Sequence, residues 1–266
     1  MTGDIAIEVK GLNSFYGTRQ VLYDVSALIP RHEIFVIMGI SGSGKTTLFR
    51  HLIGLKETPS GCIWIDGEDV GRWGSSEWNN YHKRIGVLFQ NGALFNSLTV
   101  GENVATPLRV HTGLPGEIID IMVEMKLHMV GLSGLSGFMP SQLSGGMRKR
   151  AGLARALAMD PEFLFVDEPS SGLDPITAAG LDELLLSLKA ALGMTVIVVT
   201  HELESAFRIA DRMMVMDRGR ILASGTPDEI RRNDNPRVRQ FLERRAEEAG
   251  EDVEAYLERL CAVRRR

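Results

Sequence analysis

At 266 residues the chain has room for one large domain with a subdomain, and its 44% hydrophobic and 24% charged residues are those of an ordinary globular protein. A formal net charge of -4 gives no overall electrostatic case for nucleic-acid binding. The two cysteines, Cys62 and Cys261, form no CxxC pairing, which argues against a disulfide framework or a zinc site and fits a reducing compartment. Both read as inert structural thiols.

The opening MTGDIAIEVKGL carries acid and lacks the long apolar core of a secretory signal. The longest apolar runs, such as MTVIVV from Met194, fall far short of the roughly 20 residues that span a bilayer. Action on a membrane is therefore expected to run through a partner.

Taken in chain order, residues 5–9, 21–29, 34–38 and 62–65 are short, β-branched runs punctuated by turn residues such as Tyr16-Gly17 and Pro59-Ser60-Gly61, and they predict strands. The spacing of Leu48, Leu52 and Leu55 predicts a helix over 46–55 with Gly54 near its end. Residues 97–159 predict a mainly helical region with breaks at Pro107, Gly113-Leu114-Pro115 and 131–140. The wholly apolar runs 163–166 and 196–199 have the composition of strands buried on both faces of a parallel sheet. After Pro227 charge dominates, and Phe241, Tyr256, Leu257 and Leu260 supply a thin apolar stripe. That tail reads either as a solvated terminal helix or as a segment that docks on a partner or on a second copy.

Three stretches carry chemistry. GISGSGKT, residues 39–46, follows an apolar strand and opens a helix, which is the context that gives G-x-x-x-x-G-K-[ST] its meaning. Glycines there turn backbone amides inward onto phosphate oxygens; Lys45 reaches the β- and γ-phosphates and Thr46 suits Mg²⁺. Gly39, Ser41, Gly42, Ser43, Gly44, Lys45, Thr46 and Thr47 are the candidate nucleotide ligands. The bland alternative, a glycine-rich turn, leaves the flanking strand and helix unexplained.

FLFVDEP, residues 163–169, is an apolar strand ending in two carboxylates. Asp167 at its C-terminal end suits Mg²⁺, because ligands collect at that edge of open α/β sheets. Glu168 is placed to polarise an attacking water as general base. A surface acidic pair is the structural alternative. LSGGMRKR, residues 143–150, offers Ser144 as a helix cap and bare amides at Gly145 and Gly146. Standing alone it would be a plain cap. Beside a phosphate loop it makes a second anion site, which suggests service to another subunit's nucleotide.

These motifs, the SGLD at residues 171–174 and the isolated His201 follow the order and similar spacings of the ABC-type ATPases, which the chain resembles over about residues 5–227. The resemblance implies an α/β fold: a P-loop ABC ATPase core with a mainly parallel sheet, an N-terminal antiparallel β subdomain and a helical subdomain at about 97–159, followed by a charged extension over 228–266. It implies that Tyr16 stacks on adenine and that Gln90 contacts Mg²⁺ and water while sensing the transport partner. By the same likeness Asp174 links the two sites of a dimer and His201 holds the γ-phosphate. The other histidines, His32, His51, His82, His111 and His128, read as structural. The implied cycle is a head-to-tail homodimer that closes on two ATP and reopens after hydrolysis. Two departures stand out. Ile40 replaces a common Pro, and Met147 replaces the usual Gln, which puts a ribose contact, and with it discrimination among nucleotides, in question.

The run FQNGALFNSLTVGENVATPL from Phe89 shows neither helical nor strand periodicity. It resembles ATPases of the Mla-type lipid-transport systems, as do SGLDPIT, NPRVRQFL and the Met-ended signature. That likeness implies a separate integral-membrane permease, an MCE-type lipid-binding subunit and, in some systems, a small STAS-type subunit, with the ATPase on the cytoplasmic face of the inner membrane and phospholipid as cargo. Physically the run suits a docking surface for a membrane subunit; alternatively Leu94, Phe95 and Leu98 cover the helical subdomain's own core. Osmolyte or amino-acid importers are the rival within transport. Non-transport ABC ATPases acting on nucleic acid are the rival outside it, but they typically bring tandem domains, zinc or coiled-coil insertions, or basic stretches. This chain has one P-loop and no Cys cluster, and no nucleic-acid partner is expected. A P-loop kinase or GTPase leaves LSGGM and His201 unexplained.

Overall fold

Apolar side chains alternating between two faces build the centre of the molecule. The computed structural model describes residues 4–245. The N-terminal half runs β1 (Ile5–Tyr16), β2 (Arg19–Pro30), β3 (Ile34–Gly39), α1 (Lys45–Leu52), β4 (Ile63–Ile65), β5 (Glu68–Asp69), α2 (Ser75–Arg84) and β6 (Ile85–Leu88). It continues through α3 (Val100–His111), α4 (Gly116–Met129), α5 (Gly145–Ala156), β7 (Phe163–Asp167), α6 (Pro175–Leu192), β8 (Thr195–Thr200) and α7 (Leu203–Ile209). The described chain closes with β9 (Arg212–Asp217), β10 (Arg220–Gly225), α8 (Pro227–Arg231) and α9 (Pro236–Leu242).

A six-stranded sheet has the order β10-β9-β3-β8-β7-β6, parallel throughout except for the β9–β10 pair. A four-stranded antiparallel sheet, β2-β1-β4-β5, packs on one of its faces. Strand periodicity divides the core in two. Ile34, Val36 and Met38 of β3 join Leu164, Val166, Val196 and Val198 on the face covered by helices α3 to α7. Phe35 and Ile37 join Phe163, Phe165, Ile197 and Val199 on the other face, against Leu48, Phe49 and Leu52 of α1 and the antiparallel sheet. Phe49 meets Phe165 edge-on with ring centroids 5.8 Å apart.

Several local expectations are revised. Pro107 does not break the helical region but lies inside α3. The Thr99 capping box and the buried Val104, Ala105 and Leu108 hold α3 through the one backbone bond that proline cannot make. The helix expected over 46–55 ends at Leu52, and Gly54 (φ +73°) closes it as a Schellman motif. There the Leu55 N–H donates to the Arg50 carbonyl and the Gly54 N–H to that of His51. Strand β1 runs on to Tyr16 through register shifts that its sequence alternation concealed. Residues 228–245 include α8 and α9, which fold back so that Ile230 and Val238 are fully buried and Phe241 packs on the core. Tyr256, Leu257, Leu260 and Cys261 lie outside the described residues.

The segment after β6 owes its shape to one buried side chain. Asn103 of α3, with no solvent exposure, donates from Nδ2 to the carbonyls of Phe95 (3.1 Å), Leu98 (3.2 Å) and Thr99 (2.9 Å). Its Oδ1 accepts the Phe95 N–H at 2.8 Å. Within the loop so fixed, Leu94 packs against the core, whereas Phe95 is 53% exposed with the Arg155 guanidinium 5.8 Å from its ring centroid. Asn103→Ala strips partners from several poorly solvated backbone groups, and the expected loss is about 2 kcal/mol or more in urea-induced unfolding. A loss below about 0.5 kcal/mol contradicts this account of the loop.

Candidate active site

Four strands of the parallel sheet deliver the candidate residues to one edge. Gly39 ends β3 and begins the phosphate loop; Asp167 ends β7; Thr200 ends β8 just before His201; Gln90 follows β6 by two residues. Because β3 is flanked by β8 and β9, with β7 and β6 beyond β8, the loop sits beside the His201 and Glu168 edge.

The loop's glycines are required by space and by torsion. A Cβ on Gly39 would lie 2.2 Å from the Met216 carbonyl oxygen, and one on Gly44 (φ +102°) 2.7 Å from Leu22 Cδ2. Lys45 is buried, and its ammonium donates to the carbonyls of Gly39 (2.7 Å) and Ile40 (3.0 Å). Burial pulls this ammonium below the ordinary lysine pKa, against the opposing charges of Glu168 and Asp167. The Thr46 hydroxyl lies on an exposed residue, while Thr47 is buried. Ser43 Oγ is buried without a hydrogen-bond partner.

At the end of β7, Glu168 adopts φ +49°, a left-handed conformation costing a non-glycine residue roughly 1–2 kcal/mol. Its N–H still donates to the Val199 carbonyl at 2.8 Å, so the ladder pins the strained residue. The carboxylate accepts from Thr200 Oγ1 (3.2 Å), and His201 Nδ1 lies 2.9 Å from it. Burial, and then the neighbouring Glu168, push the Asp167 carboxyl above its usual pKa, with Lys45 and Arg50 pulling the other way. Gln90 Nε2 donates to Ser171 Oγ at 3.2 Å, joining the segment that follows β6 to the one that follows Glu168.

Ser144 caps α5, its Oγ accepting the Met147 N–H at 3.2 Å. Gly145 and Gly146 form the first turn, and a Cβ on Gly146 would stand 2.6 Å from Thr177 Cγ2. Asp174 caps α6, accepting from the backbone of Ile176 and Thr177 and from the Thr177 hydroxyl at 2.6 Å. These bonds, the Thr177 hydroxyl first, hold its carboxyl below the usual pKa. The signature turn and the Asp174 turn are therefore one surface, beside which Ile176 is 85% exposed. Among the described residues no hydrogen bond joins Ser144, Gly145 or Gly146 to the phosphate loop. The Met147 side chain packs against the core.

Tyr16 closes β1 with its ring 45% exposed, Lys56 Nζ 4.2 Å from the ring centroid and Arg50 donating to its hydroxyl at 3.3 Å. Two turns into α1, the buried His51 bridges Ser14 Oγ (Nε2, 2.8 Å) and Thr58 Oγ1 (Nδ1, 3.1 Å), tying the phosphate-loop helix to the strand that carries Tyr16. The structural reading of His51 thus agrees with its surroundings. Thr200 did not emerge from the sequence, and Ser171 and Ile176 only inside the quoted SGLDPIT without a role of their own, because hydroxyls and a lone Ile carry no pattern until the edge is assembled.

The residues fit a nucleotide and a divalent cation. The orphaned Ser43 Oγ, a loop in which Gly39 and Gly44 leave no room for a Cβ, and the Lys45 ammonium suit phosphate, and the hydroxyl, amide and carboxylate oxygens of Thr46, Gln90 and Asp167 form a hard donor set. Fold and site together define a P-loop nucleotide hydrolase.

Comparison with known proteins narrows that class. Residues 22–171 match the family described as ABC transporter. The chain is 43% identical over 239 residues to the "Probable ribonucleotide transport ATP-binding protein mkl" of Mycobacterium leprae, covering 90% of this chain and 69% of that protein. It is 42% identical over 237 residues to the "Intermembrane phospholipid transport system ATP-binding protein MlaF" of Escherichia coli (strain K12), covering 89% and 88% respectively. Among solved structures, a dimeric ATP-binding cassette, MJ0796, bound to ADP and Pi superposes with a TM-score of 0.75 at 30% identity, covering 83% of this chain and 98% of that one. The chain belongs to the ABC transporter family, as the ATP-hydrolysing subunit.

Burial pushes the pKa of His51 down from 6.5 to about 4, so folding favours the neutral ring. The unfolded chain then binds the extra proton between those values. Stability is retained above pH 6.5 and falls as pH drops from 6.5 towards 4, by on the order of 3 kcal/mol in full. His51→Gln is expected to flatten that slope when denaturant unfolding is compared at pH 7 and 4.5. An unchanged slope removes His51 as its source.

Proposed function

We propose that this ATPase closes as a homodimer on two ATP and drives a separate integral-membrane permease that moves phospholipid between membranes of a bacterial envelope. In the closed pair each ATP lies between residues 39–46 of one chain and Ser144, Gly145 and Gly146 of a second copy. Tyr16 stacks on the adenine and Lys45 contacts the β- and γ-phosphates; Thr46, Gln90 and Asp167 would hold Mg²⁺, which would neutralise charge on the phosphate oxygens. Glu168 takes up the proton of the attacking water; His201 holds that carboxylate in line through Nδ1 and faces the γ-phosphate. Asp174, beside the signature turn, carries the state of one site to the other.

The observation that carries the base assignment is the pinned, left-handed Glu168 with Thr200 and His201 on its carboxylate. The likeness to MlaF over most of both chains supports the cargo, and the exposed Phe95, two positions past Gly-Ala and five past Gln90, supports the docking loop. No helix among the described residues is long and apolar enough to cross a membrane; in this reading the ATPase attaches through the permease, on the cytoplasmic face of the inner membrane. MCE-type and STAS-type subunits complete the assembly in this reading. The name of the mycobacterial relative favours a second cargo, a ribonucleotide, at 43% identity.

Glu168→Gln is expected to bind ATP as the wild type does while turnover falls about 10²- to 10⁴-fold; wild-type-like hydrolysis removes the base assignment. Phe95→Glu is expected to weaken permease co-purification more than ATP binding. Equal loss of both assigns Phe95 to the core. Purification of the tagged protein from its native membrane is expected to bring down a permease, an MCE-domain subunit and phospholipid. Recovery of a solute-binding protein, or of bound nucleotide cargo in place of lipid, overturns the lipid reading.

A further inference from the structure

Lys149 is a buried lysine that none of the roles above uses. It lies five residues beyond the Ser144 cap on α5 and is 5% exposed. Its ammonium donates to the carbonyls of Glu168 (3.1 Å), Pro169 (2.6 Å) and Ser171 (2.6 Å). Three N–H donors meet three acceptors, and all three belong to the short turn that begins with the left-handed Glu168. No salt bridge reaches Lys149 among the described residues, so the cation is held by backbone carbonyls, with the Glu168 charge favouring it only from beyond ion-pair distance. Burying a charge in this way costs more than a neutral residue of similar length would, so packing by itself does not account for it. What the arrangement provides is a fixed three-point anchor on the residues that set the direction of the Glu168 side chain.

The same helix also holds the Gln90 segment. Arg155 donates to the carbonyls of Ala93 (2.7 Å) and Gly92 (3.0 Å), and a Cβ on Gly152 would lie 2.9 Å from the Gly92 oxygen. Gln90 in turn donates to Ser171, whose carbonyl Lys149 holds. One rigid helix thus fixes the signature turn at its N-terminus, the base-bearing turn near its middle and the docking loop further along.

We propose that Lys149 is a positioning residue of the ATPase, which sets the Glu168 carboxylate relative to the phosphates by anchoring residues 168–171 to the signature helix. This rests on the reading of Glu168 as general base. Removing the anchor lets the turn shift while the phosphate loop, Tyr16 and the signature turn keep their shapes. Turnover therefore falls and nucleotide affinity does not.

The test uses the full chain with its co-purified membrane subunits and compares Lys149→Met, Lys149→Arg and Glu168→Gln. Lys149→Met is expected to lower kcat about tenfold to a hundredfold, with KM for ATP and the Kd of a fluorescent ATP analogue changed by less than about twofold. Lys149→Arg, which keeps the donors, is expected to recover most of kcat. If Lys149→Met fails to fold, Lys149→Gln, with two donor hydrogens, is read by the same criteria. A kcat near wild type without the ammonium, a parallel loss of kcat and affinity, or no recovery by Arg overturns the proposal. Glu168→Gln separates the two readings: if it still turns over, the base assignment fails, and if it is inactive while Lys149→Met is not, only the role of Lys149 fails.

Discussion

The parallel strands β3, β8 and β7 are buried on both faces, and that constraint sets where chemistry can happen. No residue of β3 and no residue of β8 is exposed, and β7 is buried until Asp167. A polar side chain inside such a strand would lose its water without gaining partners. Functional groups therefore appear only where each strand leaves the sheet. Gly39, Asp167 and Glu168, Thr200 and His201, and Gln90 are the first residues freed on four of the strands. Adjacent strands in register bring those first residues to within hydrogen-bond reach, as the Glu168 to His201 contact illustrates. The site is thus a consequence of the sheet's burial, and its geometry is as stiff as the ladder behind it.

The electrostatics at this edge are balanced by mutual dependence. Lys45 is pulled down by burial and held up by Glu168 and Asp167, while Asp167 is pushed up by burial and by Glu168. Neither charge is comfortable without the other, and Lys45 meanwhile spends its hydrogens on the loop's own carbonyls. Phosphate oxygens offer that ammonium stronger, charge-assisted acceptors. A divalent cation held there would relieve the repulsion between the two carboxylates in the same way. The groups around the nucleotide are arranged so that binding resolves a tension already built into the protein.

The motifs were legible in the sequence because each is a local backbone device. GISGSGKT needs glycines for torsion and space at Gly39 and Gly44, and LSGG needs a small residue where Gly146 meets Thr177. Apolar runs fully buried on both faces announced β7 and β8, and a short β-branched run announced β3. What stayed hidden depends on contacts distant in sequence. Asn103 looked like an ordinary helix residue, yet it is the staple of the loop from Phe95 to Thr99. Pro107 looked like a stop, yet tertiary packing of α3 overrides it. Strands β9 and β10 carry Met, Arg and Ser, which weaken their β signal, and β9 gains its place from pairing with β3. Lys149 sat inside a quoted motif, but nothing in its local sequence marked it until the turn beyond β7 was seen to surround it.

In the proposed reading, helix α5 is what joins a membrane event to chemistry. Gly92 and Gly152 bring two backbones so close that no side chain fits between them, and Arg155 fastens the same loop by two carbonyls. Contacts of that kind do not stretch; they move together or break. A push on the exposed Phe95 is therefore delivered to α5 rather than absorbed by the loop. Because the signature turn and the base-bearing turn are attached to the same helix, a displacement of α5 reaches both. If the Phe95 loop docks the permease and Glu168 is the base, as proposed, no long-range signal is needed, since docking loop, signature turn and base-bearing turn share one rigid element.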